Sequence, residues 1–212
     1  DHDHIGAYVL DVCGHGVAAS LLSVTVRRFL SPSFSPTSLV LHQSDTSVRR
    51  IVPPAEVANQ LNQRFAWDAN RGQFFTVFYS VLNTKTGKLR YVIAGHPPPL
   101  LLNVDGHAEP LKGSGFPIGI SQEPYTEQVL QLRGGDRLLV YSDGLTDAMN
   151  RQRKLFGEER AIRTLMEHRE ETIEDTLSGI MKRVKDWCGG ARFKDDVSVL
   201  ALDVQRDFLP KL

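Results

Sequence analysis

The stretch that most constrains this chain is Val9–Ala19, with the sequence VLDVCGHGVAA. Its pattern predicts the end of a strand, a glycine turn and the start of a helix. Glycines at 14 and 16 permit positive φ and close approach of the backbone. Asp11 at the end of the strand, together with a free main-chain carbonyl, suits a hard cation. The same Asp-x-x-Gly pattern also caps helices and forms turns, so this stretch alone leaves both interpretations open.

Two distant segments also combine an aspartate with a strand. Gly135–Leu145 predicts a strand that ends at Asp143, and Phe193–Leu202 carries Asp195 and Asp196 just before a strand. Carboxylates that converge repel one another unless a cation neutralises them. The three segments together therefore predict an oxygen-rich site for Mg²⁺ or Mn²⁺.

Five motifs follow one another in order along the chain. They are DVCGHG at 11–16, FFTVFY at 74–79, AGHPPPL at 94–100, YSDGLTD at 141–147 and DDVSVL at 195–200. In this order they resemble the SpoIIE-type branch of the metal-dependent (PPM) serine/threonine phosphatases, from about Ile5 to about Val204. The resemblance implies an α+β fold, a four-layer α-β-β-α sandwich of two antiparallel sheets flanked by helices. It also implies that residues 1–212 form a single phosphatase domain.

The resemblance further implies a reaction and a site. The reaction is hydrolysis of phosphoserine or phosphothreonine on a protein, with two Mn²⁺ or Mg²⁺ ions. Asp11 would bridge both ions and the Val12 carbonyl would help to hold one, while Asp143 and Asp195 would hold the other. Asp196 would share that role or orient water. Asp147 is expected to stay outside direct contact with the ions.

One family feature is missing from this sequence. The family has an earlier strand with a Gly-Gly-Asp motif, which pairs with the Ile5–Leu10 strand and adds an acidic residue to the two-metal site. We therefore expect that the chain is a fragment of a longer protein, or that upstream residues are missing. The resemblance implies a phosphorylated regulator as substrate, such as an anti-sigma-factor antagonist. It also suggests a sensor or response-regulator receiver domain upstream.

Composition excludes several classes of partner. Lys and Arg together number 25, as do Asp and Glu, so the basic excess typical of nucleic-acid binding is absent. No apolar run approaches the roughly 20 residues that span a bilayer. Neither Cys13 nor Cys188 belongs to a CxxC pair, which argues against structural zinc and for a cytoplasmic protein with free thiols. Cys13 is expected to be a small buried filler.

Several polar residues allow two interpretations. His96 is either a proton donor near the metals or, as its proline-rich loop favours, a structural ring that bonds the backbone. The role of His15 stays open. The run Asp1–His4 is more typical of a polar hairpin tip than of a metal site. Residues 31–52, rich in serine and without a sustained period, predict a flexible loop insertion.

Periodicity also predicts the regular elements. Helices are expected over 17–30, 53–67 and 158–168 and from Thr172 to Gly189, and a closing strand over 197–204. In the first helix Val17, Leu21, Leu22, Val24 and Phe29 are expected to line one apolar face. Strands 74–82 and 88–94 are expected to form a hairpin, and so are 127–132 and 136–141. Hairpins of this kind argue against a doubly wound parallel sheet.

Two other functions compete with the phosphatase. The first is a non-catalytic binding module on the same fold, against which the presence of Asp11, Asp143 and Asp195 argues. The second is a small-molecule phosphoesterase, for which the sequence offers no distinctive pocket motif. Metal dependence of activity would separate the phosphatase from the binding module.

Overall fold

A computed structural model of the chain describes residues 3–14, 16–32, 37–43, 49–66, 72–190 and 193–208. The helices are α1 (Val17–Phe29), α2 (Pro54–Arg64), α3 (Asp143–Thr146), α4 (Glu158–Glu167) and α5 (Ile173–Cys188). The strands are β1 (His4–Val12), β2 (Leu41–Gln43), β3 (Arg49–Ile51), β4 (Phe75–Asn83), β5 (Lys88–Ala94), β6 (Leu100–Leu102), β7 (Ala108–Pro110), β8 (Gln128–Gln131), β9 (Arg137–Tyr141) and β10 (Val199–Asp203). Within these ranges, no helix has both the length and the apolar character needed to cross a membrane.

The chain divides into two compact units. Unit 1 holds the residues up to Thr84 together with Lys88–His96 and Gly113–Leu130. Unit 2 holds Lys85–Gly87, Pro97–Lys112 and the residues from Gln131 onward. Each unit contains one larger sheet with helices on it, so the predicted pair of antiparallel sheets flanked by helices is confirmed.

The larger sheet of unit 1 has the strand order β1-β4-β5-β8. β1 pairs antiparallel with β4, and β4 pairs antiparallel with β5, which confirms the predicted 74–82/88–94 hairpin. Alternate residues of these strands, such as Val77, Tyr79 and Val92, share a core with Val57 and Leu61 of α2. The period of two along a strand places the remaining residues, including Asp11, on the opposite face.

The first helix is placed as predicted, but its apolar face is not. Leu22, Val26 and Phe29 contact the core at helical spacing, and Val26 is fully buried. Val17, Leu21 and Val24 are instead 77%, 62% and 66% exposed. The apolar residues of α1 are spread around more of the helix than the face that packs on the sheet. The prediction that all of them line one buried face is therefore wrong.

The segment 31–52 contains more regular structure than a loop insertion. Its described part includes β2 and β3, which pair antiparallel with Leu41 opposite Ile51. Leu39 and Val52 are buried in the core of unit 1. This strand pair could not be predicted from the sequence, because each of its strands has three residues, too few to show an alternating pattern.

The larger sheet of unit 2 has the order β10-β9-β6-β7, with antiparallel pairing throughout. Leu139 and Tyr141 of β9 pack with Leu165 of α4 and with Ile180 and Val184 of α5. The predicted hairpin between 127–132 and 136–141 is wrong, because β8 and β9 belong to different sheets. β9 is buried along its whole length and pairs on both sides, whereas β8 is half-exposed.

Helix α5 begins and ends as its sequence predicts. The Thr172 hydroxyl accepts a hydrogen bond from the Asp175 N–H at 3.1 Å, and Gly189 ends the helix in the left-handed conformation. The buried Arg137 of β9 connects the sheet to this region. Its guanidinium donates to both carboxylate oxygens of Asp203, at 2.6 and 2.7 Å, and to the Thr176 hydroxyl. A buried charge is tolerated when it is paired and fully hydrogen-bonded in this way.

Candidate metal centre

In unit 1, Asp11 lies near the end of β1, directly opposite Thr76 of β4. The strand ends at the buried Val12, and the Cys13 N–H donates to the Phe74 carbonyl at 3.0 Å. Gly14 and Gly16 both adopt φ of 94°, as the sequence predicted for the turn before α1. The strand–turn–helix prediction around Asp11 is therefore confirmed for the described residues.

In unit 2, a serine connects the end of β9 to the segment that carries Asp195 and Asp196. The buried Ser142 hydroxyl donates to the Asp196 carbonyl at 3.1 Å and accepts from the Ser198 N–H at 2.9 Å. The Ser142 N–H donates to the Ser198 carbonyl at 3.0 Å. These contacts hold the acidic pair close to the residue that begins α3, which is Asp143.

Gly144 brings the same two segments into very close contact. A Cβ atom placed on this residue would lie 2.3 Å from the carbonyl oxygen of Asp196 and 3.0 Å from its carbonyl carbon. Only glycine allows backbone to approach this closely. Glycine at position 144 is therefore needed for the 195–198 segment to pack this closely against the start of α3.

The aspartates of this region act on one another electrostatically. Partial burial, and then the negative charges of Asp143 and Asp195, raise the pKa of the Asp147 carboxyl above its usual range. Asp143, Asp147 and Asp195 are called here the unit 2 carboxylates. Like charges held together in this way favour a neutralising cation.

One oxygen of these carboxylates is buried without a partner. Asp143 Oδ1 accepts no hydrogen bond from the part of the chain that the structure describes. A buried polar atom without a hydrogen bond is costly and calls for an explanation. A carboxylate oxygen in a group of like charges is the donor that Mg²⁺ and Mn²⁺ prefer, so the unit 2 carboxylates fit a hard divalent cation.

The carboxylates nevertheless do not form a closed metal cage. Among the described residues, no three His, Cys, Asp or Glu side chains are grouped so that they could hold an ion as they stand. Asp195 and Asp196 are both exposed, and Asp195 Oδ1 accepts from the Asp196 N–H at 2.8 Å. The proposed ligands Asp11, Val12, Asp143, Asp195 and Asp196 therefore stay a prediction.

The predictions for His96, His15 and Cys13 can be compared with the structure one by one. His96 is buried, and its Nδ1 shares a hydrogen bond with the Thr76 hydroxyl. His15 lies outside the described residues.

Cys13 is exposed, so its expected role as a buried filler is wrong. It follows the last residue of β1 and therefore leaves the sheet before it can pack in the core.

The polar run at the start of the chain is described only in part. Asp1 and His2 lie outside the described residues. The Asp3 carbonyl accepts from the Thr84 N–H at 2.8 Å, and His4 Nε2 lies 3.0 Å from Asn83 Nδ2. The described half of the run is thus engaged with the β4–β5 turn, in agreement with a structural role.

A separate groove of about 780 Å³ in unit 2 has a different lining. It lies beside Arg137, Asp203, Arg206 and the residues 169–174 that precede and begin α5. Neither Asp143 nor Asp195 contributes to it. The chemistry predicted from the motifs therefore does not belong to this groove.

Sequence reasoning missed the supporting role of Ser142 and Gly144, and it placed little weight on Asp147. The available signal was the spacing of Asp143 and Asp147, four residues apart, which brings side chains together on a helical turn. Ser142 gave no such signal, because its partners lie more than 50 residues away.

Two curated relatives share sequence with the chain. Protein IcfG of Synechocystis is 27% identical over 94% of this chain and 34% of its own length. The phosphoserine phosphatase RsbP of Bacillus subtilis is 26% identical over 69% of this chain and 34% of its own length. The chain thus spans about a third of the length of each.

Solved structures share its fold. The SiaA-PP2C domain of Pseudomonas aeruginosa has a TM-score of 0.75 at 17% identity, over 95% of this chain and 80% of that one. RsbX in complex with magnesium has a TM-score of 0.62 at 14% identity, over 95% of this chain and 81% of that one. At these identities the likeness establishes the fold.

The family assignment covers almost the whole sequence. The family described as Stage II sporulation protein E (SpoIIE) matches residues 1–205. The match includes all five motifs, so the resemblance they predicted is confirmed. The chain therefore belongs to the SpoIIE family, within the metal-dependent PPM phosphatases.

Proposed function

We propose that this chain is a metal-dependent phosphatase that removes phosphate from phosphoserine or phosphothreonine on a regulatory protein. The observation that carries the proposal is the buried, unpartnered Asp143 Oδ1 within a group of mutually repelling carboxylates. Membership of the SpoIIE family supports the same reaction class, as does the name of RsbP as a phosphoserine phosphatase.

The proposed ligands are the residues that the sequence motifs predict. Asp11 would bridge two ions and the Val12 carbonyl would help to hold one of them. Asp143 and Asp195 would hold the other, and Asp196 would share this role or orient water. When bound, Mn²⁺ or Mg²⁺ supplies Lewis-acid activation of the phosphate ester and an acidified water as nucleophile. The magnesium in the RsbX structure supports an ion of this class.

The protein's own contribution is to place these oxygens. Phosphoryl transfer depends mostly on positioning and charge stabilisation, so the ligands should matter more than any single acid or base. Ser142 and Gly144 serve this purpose, because they hold the segment that carries Asp195 close to Asp143.

The proposed substrate is a phosphorylated protein of a signalling pathway. A phosphorylated anti-sigma-factor antagonist in the cytoplasm is the substrate that family membership suggests. Because the relatives are about three times as long as the matched segment, a sensor or receiver domain in the same protein is part of the proposal.

Phosphate release from a phosphoserine peptide tests this proposal. We expect release with Mn²⁺, none with excess chelator, and a loss of more than about 100-fold in Asp143→Asn, since even outer-shell partners of a metal are worth 10–100-fold. Asp105→Asn, which alters an exposed turn of the same unit, is the matched control and should keep full activity. Chelator-resistant release would contradict the proposal.

The second candidate is a non-catalytic binding module on the same fold. The observation in its favour is that the described side chains include no ready-made group of three metal ligands. If this candidate is correct, the chain folds but releases no phosphate with either metal. The peptide assay therefore separates the two candidates, provided that circular dichroism shows the chain to be folded.

A further inference from the structure

A buried histidine lies close to the strand pair that carries Asp11. His96 is 4% exposed and belongs to unit 1, as Asp11 does. Its Nδ1 atom is 3.0 Å from the hydroxyl oxygen of Thr76. Thr76 lies directly opposite Asp11 in the antiparallel pair of β1 and β4. His96 therefore contacts the residue that lies opposite Asp11 in the sheet.

Asp11 and Thr76 share one face of the sheet. Their strand neighbours Val12, Phe75 and Val77 are buried in the helix-side core. Side chains alternate between faces along a strand, so Asp11 and Thr76 both project from the opposite face. Residues directly opposite in an antiparallel pair have Cβ atoms about 4.5–5.5 Å apart, which is within reach of a hydrogen bond between their side chains.

The position of His96 is fixed by the residue before it. Gly95 has a φ of 66°, and its N–H donates to the Gly115 carbonyl at 2.8 Å. A Cβ atom at this position would lie 2.5 Å from Pro117 Cγ and 2.7 Å from Pro117 N. Glycine is therefore required for the two segments to pack so closely. The adjacent Ile118 pairs with Phe75, the neighbour of Thr76, which connects this packing to β4.

We propose that His96 is a positioning residue for the metal ligand Asp11. In this arrangement the His96 Nδ1–H donates to the Thr76 hydroxyl oxygen, and the Thr76 hydroxyl directs its own proton at the Asp11 carboxylate. One carboxylate oxygen would thereby be held, so that the Asp11 carboxylate keeps one orientation. The inference rests on the proposed function, because it assigns Asp11 to the metal site.

The physical basis is the effect of outer-shell partners on metal affinity. A ligating carboxylate that loses its hydrogen-bond partner samples more orientations, and such losses typically cost 10–100-fold in affinity or activity. A buried histidine that only filled space would have no such effect. Metal affinity therefore separates positioning from packing, and it can be measured without turnover.

The test is a calorimetric titration of the chain with Mn²⁺. Thr76→Val keeps the shape of the side chain and removes the hydroxyl, and we expect it to weaken Mn²⁺ binding by about tenfold or more. The matched control is Ser80→Ala. Ser80 is a buried hydroxyl on the same face of β4 that donates to the Ala7 carbonyl, and its loss should leave Mn²⁺ affinity unchanged.

Variants of the histidine complete the experiment. His96→Phe should weaken Mn²⁺ binding as Thr76→Val does, and His96→Asn, whose amide can donate from near the Nδ1 position, should restore most of the affinity. The double variant Thr76→Val/His96→Phe should bind no more weakly than the weaker single variant, because both changes break one series of contacts. Thr76→Val tests the inference even where His96→Phe lowers stability.

The outcomes distinguish this inference from the proposed function. If the wild-type chain takes up Mn²⁺ and the folded Thr76→Val variant binds it equally well, the positioning role is overturned while the metal site stands. If the wild-type chain takes up no Mn²⁺, the proposed function is contradicted and the inference falls with it. Additive losses in the double variant would also overturn the single series of contacts.

Discussion

Asp11 and Asp143 each lie at or just beyond the end of a strand, yet their surroundings differ. β1 is the outermost strand of its sheet in the described structure, and Asp11 is placed by its register with Thr76. Asp143 follows a fully buried strand and adjoins Ser142 and Gly144, which bind a distant segment. The position of Asp11 therefore depends on sheet register, whereas that of Asp143 depends on specific contacts with residues far along the chain.

Substitution of Gly144, which adjoins Asp143, should have the largest effect on stability and on Mn²⁺ uptake. An alanine Cβ would meet the Asp196 carbonyl oxygen at 2.3 Å, and the contacting atom is backbone that cannot rotate away. We expect Gly144→Ala to lower the free energy of unfolding by about 2–3 kcal/mol, in the upper range for overpacking, and to abolish Mn²⁺ uptake. Urea unfolding and calorimetry measure the two effects.

The control for this change comes from unit 1. Gly6 of β1 also lacks a side chain, but a Cβ there would have its nearest neighbour at 4.0 Å, the Ser80 carbonyl oxygen. Gly6→Ala should therefore leave stability unchanged or slightly higher. Equal stability of the two variants would show that the close contact at Gly144 has no energetic importance.

Removal of the Ser142 hydroxyl should have an intermediate effect. Ser142→Ala leaves the Ser198 N–H without its acceptor and the Asp196 carbonyl without this donor. Because these contacts are partly buried, we expect the change to lower the free energy of unfolding by about 1 kcal/mol, the usual net contribution of a hydrogen bond. Thermal unfolding checks this, with Ser198→Ala as the control, because that change keeps the Ser198 N–H and removes only an exposed side chain. Equal melting temperatures of the two variants would contradict the role of Ser142.

The smallest effect is expected at Asp147. Because its pKa is raised in the folded protein, its ionised form destabilises the metal-free fold at neutral pH. Asp147→Asn should therefore raise the free energy of unfolding at pH 7 by less than about 0.5 kcal/mol, the usual limit for surface changes. The difference should vanish as the pH falls below about 3.9, where the aspartate of the unfolded chain is protonated as well. A difference that grows at low pH would contradict this electrostatic account.

The sequence predicted the long elements well and the short contacts poorly. The β4–β5 hairpin and the capped helix α5 follow from alternation and from Thr172 and Gly189, which are local signals. The pairing of β8 did not follow, because its sequence neighbour β9 belongs to another sheet. The choice between two sheets depends on which strands become buried on both sides, and this is decided by distant packing.

The candidate site shows the same division. Ordered motifs identified the aspartates, whereas neither Ser142 nor Gly144 has a local pattern that reveals its partner in the 195–198 segment. The link between His96 and Thr76 was also missed, because the ring was expected to bond the backbone of its own loop. Motifs thus reveal residues that carry chemistry, and the folded chain reveals the residues that position them.

The metal-dependent phosphatase activity is tested by hydrolysis of p-nitrophenyl phosphate by the wild-type chain and by Asp11→Asn, with and without Mn²⁺. We expect Mn²⁺-dependent hydrolysis by the wild-type chain, and its loss in the variant together with weaker Mn²⁺ binding. Wild-type turnover by Asp11→Asn in Mn²⁺ would overturn the proposed metal site, because the carboxylate proposed to bridge both ions would then be dispensable.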